Sequence, residues 1–151
     1  MNQLVVYDKA KYHSDTVEEY GLPLEQAYVH TAIYLGWVIE NDLCSSEFRS
    51  QTKELIEQYL SRKCTALNIY EYWDGCFVED MLCEIGNAFT QKYFDFETGN
   101  YINDYCNTLA GCEDSVFHVE YTWSVQDQIS DIISDRFKEW ERKQNKRLWL
   151  F

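Results

Sequence analysis

Apolar positions along this chain recur mostly at three- and four-residue spacing, and that period predicts one helix after another. In GLPLEQAYVHTAIYLGWVIEND, Pro23 stands where a first helical residue belongs, Glu25 favours the amino-terminal turn, and the apolar run reaches Ile39 before Asn41 and Asp42 close it. His30, Ile33, Tyr34, Trp37 and Asn41 fall on one stripe, and the other faces are apolar too, so this helix should be central. SSEFRSQTKELIEQYLSRK has a serine cap, Glu47 in its first turn, and Phe48, Ile56, Tyr59 and Leu60 toward one side, as an amphipathic surface helix would. TALNIYEYWDG and FVEDMLCEIGNAFTQKYF read as shorter helical pieces, broken at Gly75 and again near Gly86-Asn87. DFETGNYINDY reads as a turn around Thr98-Gly99-Asn100 with a short segment after it.

SVFHVEYTW alternates well enough for a strand, with a short helix or extended link as the alternative reading, because one strand needs a partner. The last helix, 124–146, is the clearest. Ile129, Ile132, Ile133, Phe137 and Trp140 share a face, with Asp127 and Asp131 early and Arg142, Lys143, Lys146 and Arg147 late, an order that complements the helix dipole. The LWLF that follows either packs back or forms an exposed contact patch. With one Pro, six Gly and no repeat, nothing marks a linker. The fold expectation is mainly α: a single compact multi-helix domain over 1–151, with room for one short β-hairpin or extended segment and a basic, apolar-ended helical extension over 141–151.

Composition supports a packed core, because the five Trp, twelve Tyr and eight Phe each bury on the order of 150–250 Å². No apolar run approaches the roughly 20 residues of a membrane span. MNQLVVYDKA also lacks the basic-then-apolar order of a signal peptide, so a cytoplasmic protein is expected. The six cysteines, at 44, 64, 76, 83, 106 and 112, lack the close pairing of a zinc site and read as free thiols in a reducing compartment.

Charge changes the picture more. The chain carries −13, yet RFKEWERKQNKR (136–147) holds six Lys or Arg against two Glu, which leaves −17 on residues 1–135. Such a field repels nucleic acid and anionic lipid, so neither is expected as a partner, and it steers a basic protein toward itself; solubility alone is the plainer explanation.

Candidate chemistry is sparse. VYDKAKYHSD gathers Asp8, His13 and Asp15, and His30 and His118 with Glu120 complete the stock of imidazole and carboxylate from which a metal site or acid–base pair could be built. There is no HExxH, HxH or GxSxG, and no glycine-rich phosphate loop. Trp37, Asn41, Tyr72, Trp73, Asp74, Asn87, Tyr101, Asp104 and Tyr105 suit a recognition surface, and equally a helical core with polar edges.

YDKAKYH, HTAIYLGWVIENDL, EIGNAFTQKYF with YINDY, and FHVEYTWSVQDQI with RFKEW resemble, in that order, an uncharacterised bacterial domain family, over about 6–140. Its pattern falls on Tyr7, Asp8, His13, His30, Trp37, Asn41, Gly86, Asn87, Phe89, Tyr93, Asp104, Tyr105, Trp123, Arg136, Phe137 and Trp140. Tyr121 stands where that pattern has an acidic residue, which weakens any idea of a shared carboxylate there. The resemblance implies a mainly helical cytosolic domain of the kind met among immunity proteins beside secreted toxins, and it carries over no catalytic residue. The expectation is therefore a toxin-neutralising binding protein, not an enzyme, with no catalytic residue, cofactor or metal and a basic toxin domain as partner. Its candidate contact residues are Tyr7, Asp8, His13, His30, Trp37, Asn41, Trp73, Asp74, Asn87, Asp104 and Tyr105. The alternatives are a phage-type inhibitor or nucleic-acid mimic acting on a host defence protein, and a His/Asp-dependent enzyme or metal-binding protein built on His13, His30 and Asp8.

Overall fold

The computed structural model describes residues 3–109, 112 and 114–149, and the side chains of the closing LWLF lie outside what is described. Strand β1 (Val6–Lys9) leads through a 3₁₀ turn (Ala10–His13) into α1 (Ser14–Glu19), and a second 3₁₀ turn (Leu24–Ala27) leads into α2 (Val29–Glu40). Then come α3 (Ser46–Gln51), α4 (Lys53–Leu60), α5 (Ala66–Tyr72), strand β2 (Cys76–Val78), a 3₁₀ turn (Glu79–Met81) and α6 (Glu84–Tyr93). The chain closes with α7 (Tyr101–Thr108), a 3₁₀ turn (Val116–His118) and α8 (Trp123–Trp149). The mainly helical expectation holds, with a single two-stranded antiparallel sheet among the described residues.

Helix α2 is the axis of the domain. Every residue from Val29 to Ile39 is buried, and α5 and α8 pack against it. Gln126 of α8 donates to the Ile33 carbonyl at 3.0 Å, and the Trp37 indole donates to Ser134 at 3.0 Å, so the polar groups on this apolar face are satisfied. Gly36 makes the approach possible: a Cβ there would lie 2.6 Å from the Tyr59 hydroxyl and 2.8 Å from Gln126 Oε1. Around Tyr34 gather Phe77, Tyr93, Phe94 and Tyr101 at centroid distances of 4.7–6.4 Å, tilted or edge-on for the most part. Such pairs add about 0.5–1.5 kcal/mol each beyond the area they bury. On α8, Ile129 and Ile133 are fully inside while Phe137 and Trp140 lie at the rim, and the helix continues to Trp149.

Three local readings need correcting. The α-helix begins at Val29 and not at Pro23, which precedes a 3₁₀ turn. The 46–60 stretch is two helices: Thr52, buried at φ −116°, breaks it and accepts the Trp73 indole N–H at 3.1 Å, so the interruption satisfies a tryptophan. No break occurs at Gly86-Asn87. Helix α6 runs through both, Gly86 because a Cβ would lie 2.7 Å from the Leu43 carbonyl oxygen. The SVFHVEYTW segment forms no strand and follows the alternative reading, a 3₁₀ turn and an extended link.

The strand that does form, β2, pairs with β1 from far along the chain, so the sheet is not a hairpin. Val6 faces Val78 and Asp8 faces Phe77, which leaves Tyr7 as an extra residue, a bulge. Asp74 and Gly75, at φ 57° and 65°, turn the chain into β2, and Gly75 is obligatory there because a Cβ would collide with Tyr28 and Ala10.

A candidate Asp–His–His site

Asp8 lies on β1 immediately after the bulged Tyr7, a placement that commonly re-aims a side chain. Its carboxylate is buried against α2. Thr31 donates to Oδ2 at 2.6 Å, and His13 Nε2 sits 2.7 Å from Oδ1. His30 Nε2 approaches the same Oδ2 at 3.5 Å, too long for a good hydrogen bond, and its Nδ1 is buried with no hydrogen-bond partner. The two imidazoles meet edge-on at 5.0 Å.

Aromatic walls fix both rings. Phe117 lies 5.3 Å from the His13 ring and 5.5 Å from His30, and Phe96 lies at 6.1 and 5.7 Å. Gln26 holds the Phe117 segment down by donating to the Phe117 and Val119 carbonyls at 2.8 and 2.9 Å. The Tyr101 hydroxyl donates to the His30 carbonyl at 2.6 Å and pins α2 at this point. His13 alone of the three reaches solvent, with 18% of its side chain exposed, next to the exposed Phe96.

Burial pushes the His30 imidazole down to about 4; the Asp8 charge opposes that shift and His13 adds to it. His30 is therefore neutral at pH 7, with a lone pair on one nitrogen. One carboxylate oxygen and two imidazole nitrogens thus lie within 4.8 Å of one another. The set can orient a base through the Asp8–His13 pair or ligate a small divalent cation.

The other sequence candidates disperse. Trp37 and Tyr105 are 0% exposed and belong to the core. Asn41 caps α2, its side chain donating to the Trp37 carbonyl at 2.9 Å. Trp73 is partly buried against Phe48, and Asp74 is exposed in its turn. Tyr7 donates to Asn87 Oδ1 at 2.6 Å while the Asn87 amide donates to the Glu79 and Leu82 carbonyls, so these two tie β1 to α6. Asp104 is clamped by Arg136 through two bonds of 2.9 Å and by the Tyr93 hydroxyl at 2.6 Å. His118 bonds Ser115 and packs on Tyr20, outside the Asp8 group.

Sequence reasoning passes over Thr31, Phe96 and Phe117. Only Thr31 leaves a signal, as a hydroxyl beside His30 inside an otherwise apolar helix. Among the described residues no helix is long and apolar enough to cross a membrane.

Comparison with the curated proteins and with the solved structures finds no match. A family model does match, and it ends before α8, so the Trp123, Arg136, Phe137 and Trp140 positions of the expected 6–140 span fall outside it while Asp8, His13, His30 and Phe117 fall inside. Over residues 6–119 the chain belongs to a domain family of unknown function, DUF7832.

Proposed function

We propose that this protein is an immunity-type inhibitor that acts in the bacterial cytoplasm by stoichiometric binding to a basic toxin domain, and not by turnover. The observation that carries the reading is where the charge sits. Of the described carboxylates in residues 1–135, all but Asp8, Glu79 and Asp104 are exposed, and the few cations of that stretch are partly spent on the Arg49–Asp42 and Arg62–Asp127 pairs. A field of −17 presented this way accelerates encounter with a cationic surface. Exposed Tyr12, Tyr20, Leu24 and Tyr72 supply apolar anchors to hold the complex once formed.

The test is a toxin-protection assay with the product of the adjacent gene, titrated against this protein, together with binding kinetics at several salt concentrations. Full protection at one copy per toxin is expected, with an association rate that falls as the Debye length shrinks from about 30 to 8 Å and a dissociation rate that changes much less. Protection at a small fraction of one copy per toxin would show turnover and overturn the proposal.

A further inference from the structure

We propose that Asp8, His13 and His30 form a binding site for a divalent transition-metal ion of the zinc class, held by one carboxylate oxygen and two imidazole nitrogens with a fourth position open toward His13 and Phe96. The inference is independent of the toxin-binding reading, because it concerns a buried corner and not the acidic exterior.

Spacing is the first argument. Two ligands on one zinc-class ion, each about 2.0–2.1 Å from it in tetrahedral array, sit about 3.3 Å apart. The 3.5 Å between His30 Nε2 and Asp8 Oδ2 is poor for a hydrogen bond and close to that value, and all three donor atoms fall within 4.8 Å of one another. The 2.7 Å contact of His13 is with the other carboxylate oxygen, Oδ1, so His13 must swing toward an ion held on Oδ2, and it is the ligand with room to move because it borders solvent. Coordination through its Nε2 leaves the ring proton on Nδ1.

The unfinished hydrogen bonding is the second argument. His30 is 2% exposed; its Nδ1 has no partner, as is also true of the Tyr70 and Tyr105 hydroxyls, and its Nε2, the nitrogen aimed at Asp8, has only the 3.5 Å approach to Oδ2. The nitrogen that would ligate is thus the one that points at a buried carboxylate from too far for a good hydrogen bond, with room for an ion to take both.

Charge is the third. Asp8 is 2% exposed, with hydrogen bonds but no Lys or Arg among its ion-pair partners. A divalent ion supplies the missing positive charge. Thr31, bonded to the same carboxylate, is the outer support that ligating carboxylates usually have. The donor set selects zinc, iron(II) or cobalt(II) over magnesium and calcium, which prefer all-oxygen sites.

The experiment uses the full chain, stripped with a chelator, dialysed and titrated with CoCl₂ while the visible absorption is followed. Expected are one cobalt per chain, d–d bands, and no sulfur-to-cobalt charge-transfer band, which separates this site from the six free thiols. X-ray absorption on the zinc-loaded protein should show only nitrogen and oxygen neighbours at about 2.0–2.1 Å with imidazole scattering. His13→Gln, which changes the solvent-facing ligand, should keep the native circular dichroism and weaken binding at least tenfold, and His30→Gln should do the same. The proposal is overturned if the wild-type chain holds no cobalt or zinc, if a thiolate band or sulfur scattering accompanies the ion, or if a folded His13→Gln binds as the wild type does.

Discussion

Asp8 and Asp104 are both drawn inward, and they differ in what answers their charge. Asp104, at the rim between α7 and α8, meets a permanent cation: Arg136 grips both oxygens, Tyr93 donates to one of them, and the side chains stay 40% and 12% exposed. Asp8 is deeper and meets a threonine and two imidazoles, one of which burial keeps neutral. The first arrangement is complete in itself. The second leaves a nitrogen of His30 without a partner and a buried charge without a fixed counter-charge. A structural ion pair closes its hydrogen bonds, whereas a site built to receive something leaves them open.

That contrast can be tested by grading carboxylates according to their partners. The upper bound is a buried carboxylate with none: Ile133→Asp, at a fully buried position of α8 against α2, should cost more than about 4 kcal/mol or prevent folding, as read by urea denaturation. An unchanged melting temperature would place this face of α8 outside the core. Next comes Asp8→Ala, which strands the Thr31 hydroxyl and His13 beside an unsatisfied His30; a loss of about 3 kcal/mol is expected in metal-free protein.

Acid should separate the two regions as well. Burial holds His30 near 4 in the folded chain, against 6.5 when exposed, so the unfolded chain takes up this proton first as pH falls. The stability linked to it is fully present above pH 6.5 and is lost between 6.5 and about 4, by up to about 3 kcal/mol. Asp8 and His13 are the charged or titratable groups that face this ring and act on it, in opposite directions. Unfolding midpoints of metal-free protein compared at pH 7 and about pH 5 should fall on acidification for the wild type and much less for His30→Gln; parallel slopes would contradict the assignment. The smallest effect should come from Asp104→Ala. Its partner Arg136 is near enough to water to rehydrate, so about 1–2 kcal/mol is expected, and a cost as large as that of Asp8→Ala would erase the distinction.

Much of this fold is legible from periodicity. The all-round apolarity of 29–39 gives the central helix, and the stripe through Ile129 and Ile133 gives α8 its buried face. What periodicity cannot see are interruptions made for a distant neighbour. Thr52 breaks a helix to receive Trp73, and Gly86 fails to break one because it makes room for Leu43. The sheet is hidden for the same reason: its strands are short and lie far apart in sequence, and the β2 residues sit in a run that also fits a helix. Of the site, Asp8, His13 and His30 stand out by residue type, because imidazole and carboxylate are scarce in apolar surroundings. Phe96 and Phe117 look like any other core phenylalanine until the fold brings them to the imidazoles.

The wide sequence separation around Asp8 also sets an order of events during synthesis. All three polar residues leave the ribosome within the first 30 residues, yet β2, which pairs with Asp8's strand, comes much later, and Gln26's grip on the Phe117 backbone spans 91 residues. Contacts that close such long loops form late. The wall that Phe117 supplies cannot close over His13 and His30 until the polypeptide has grown past residue 117. The last stretch of the family domain to be translated is the one that shuts the door on its first.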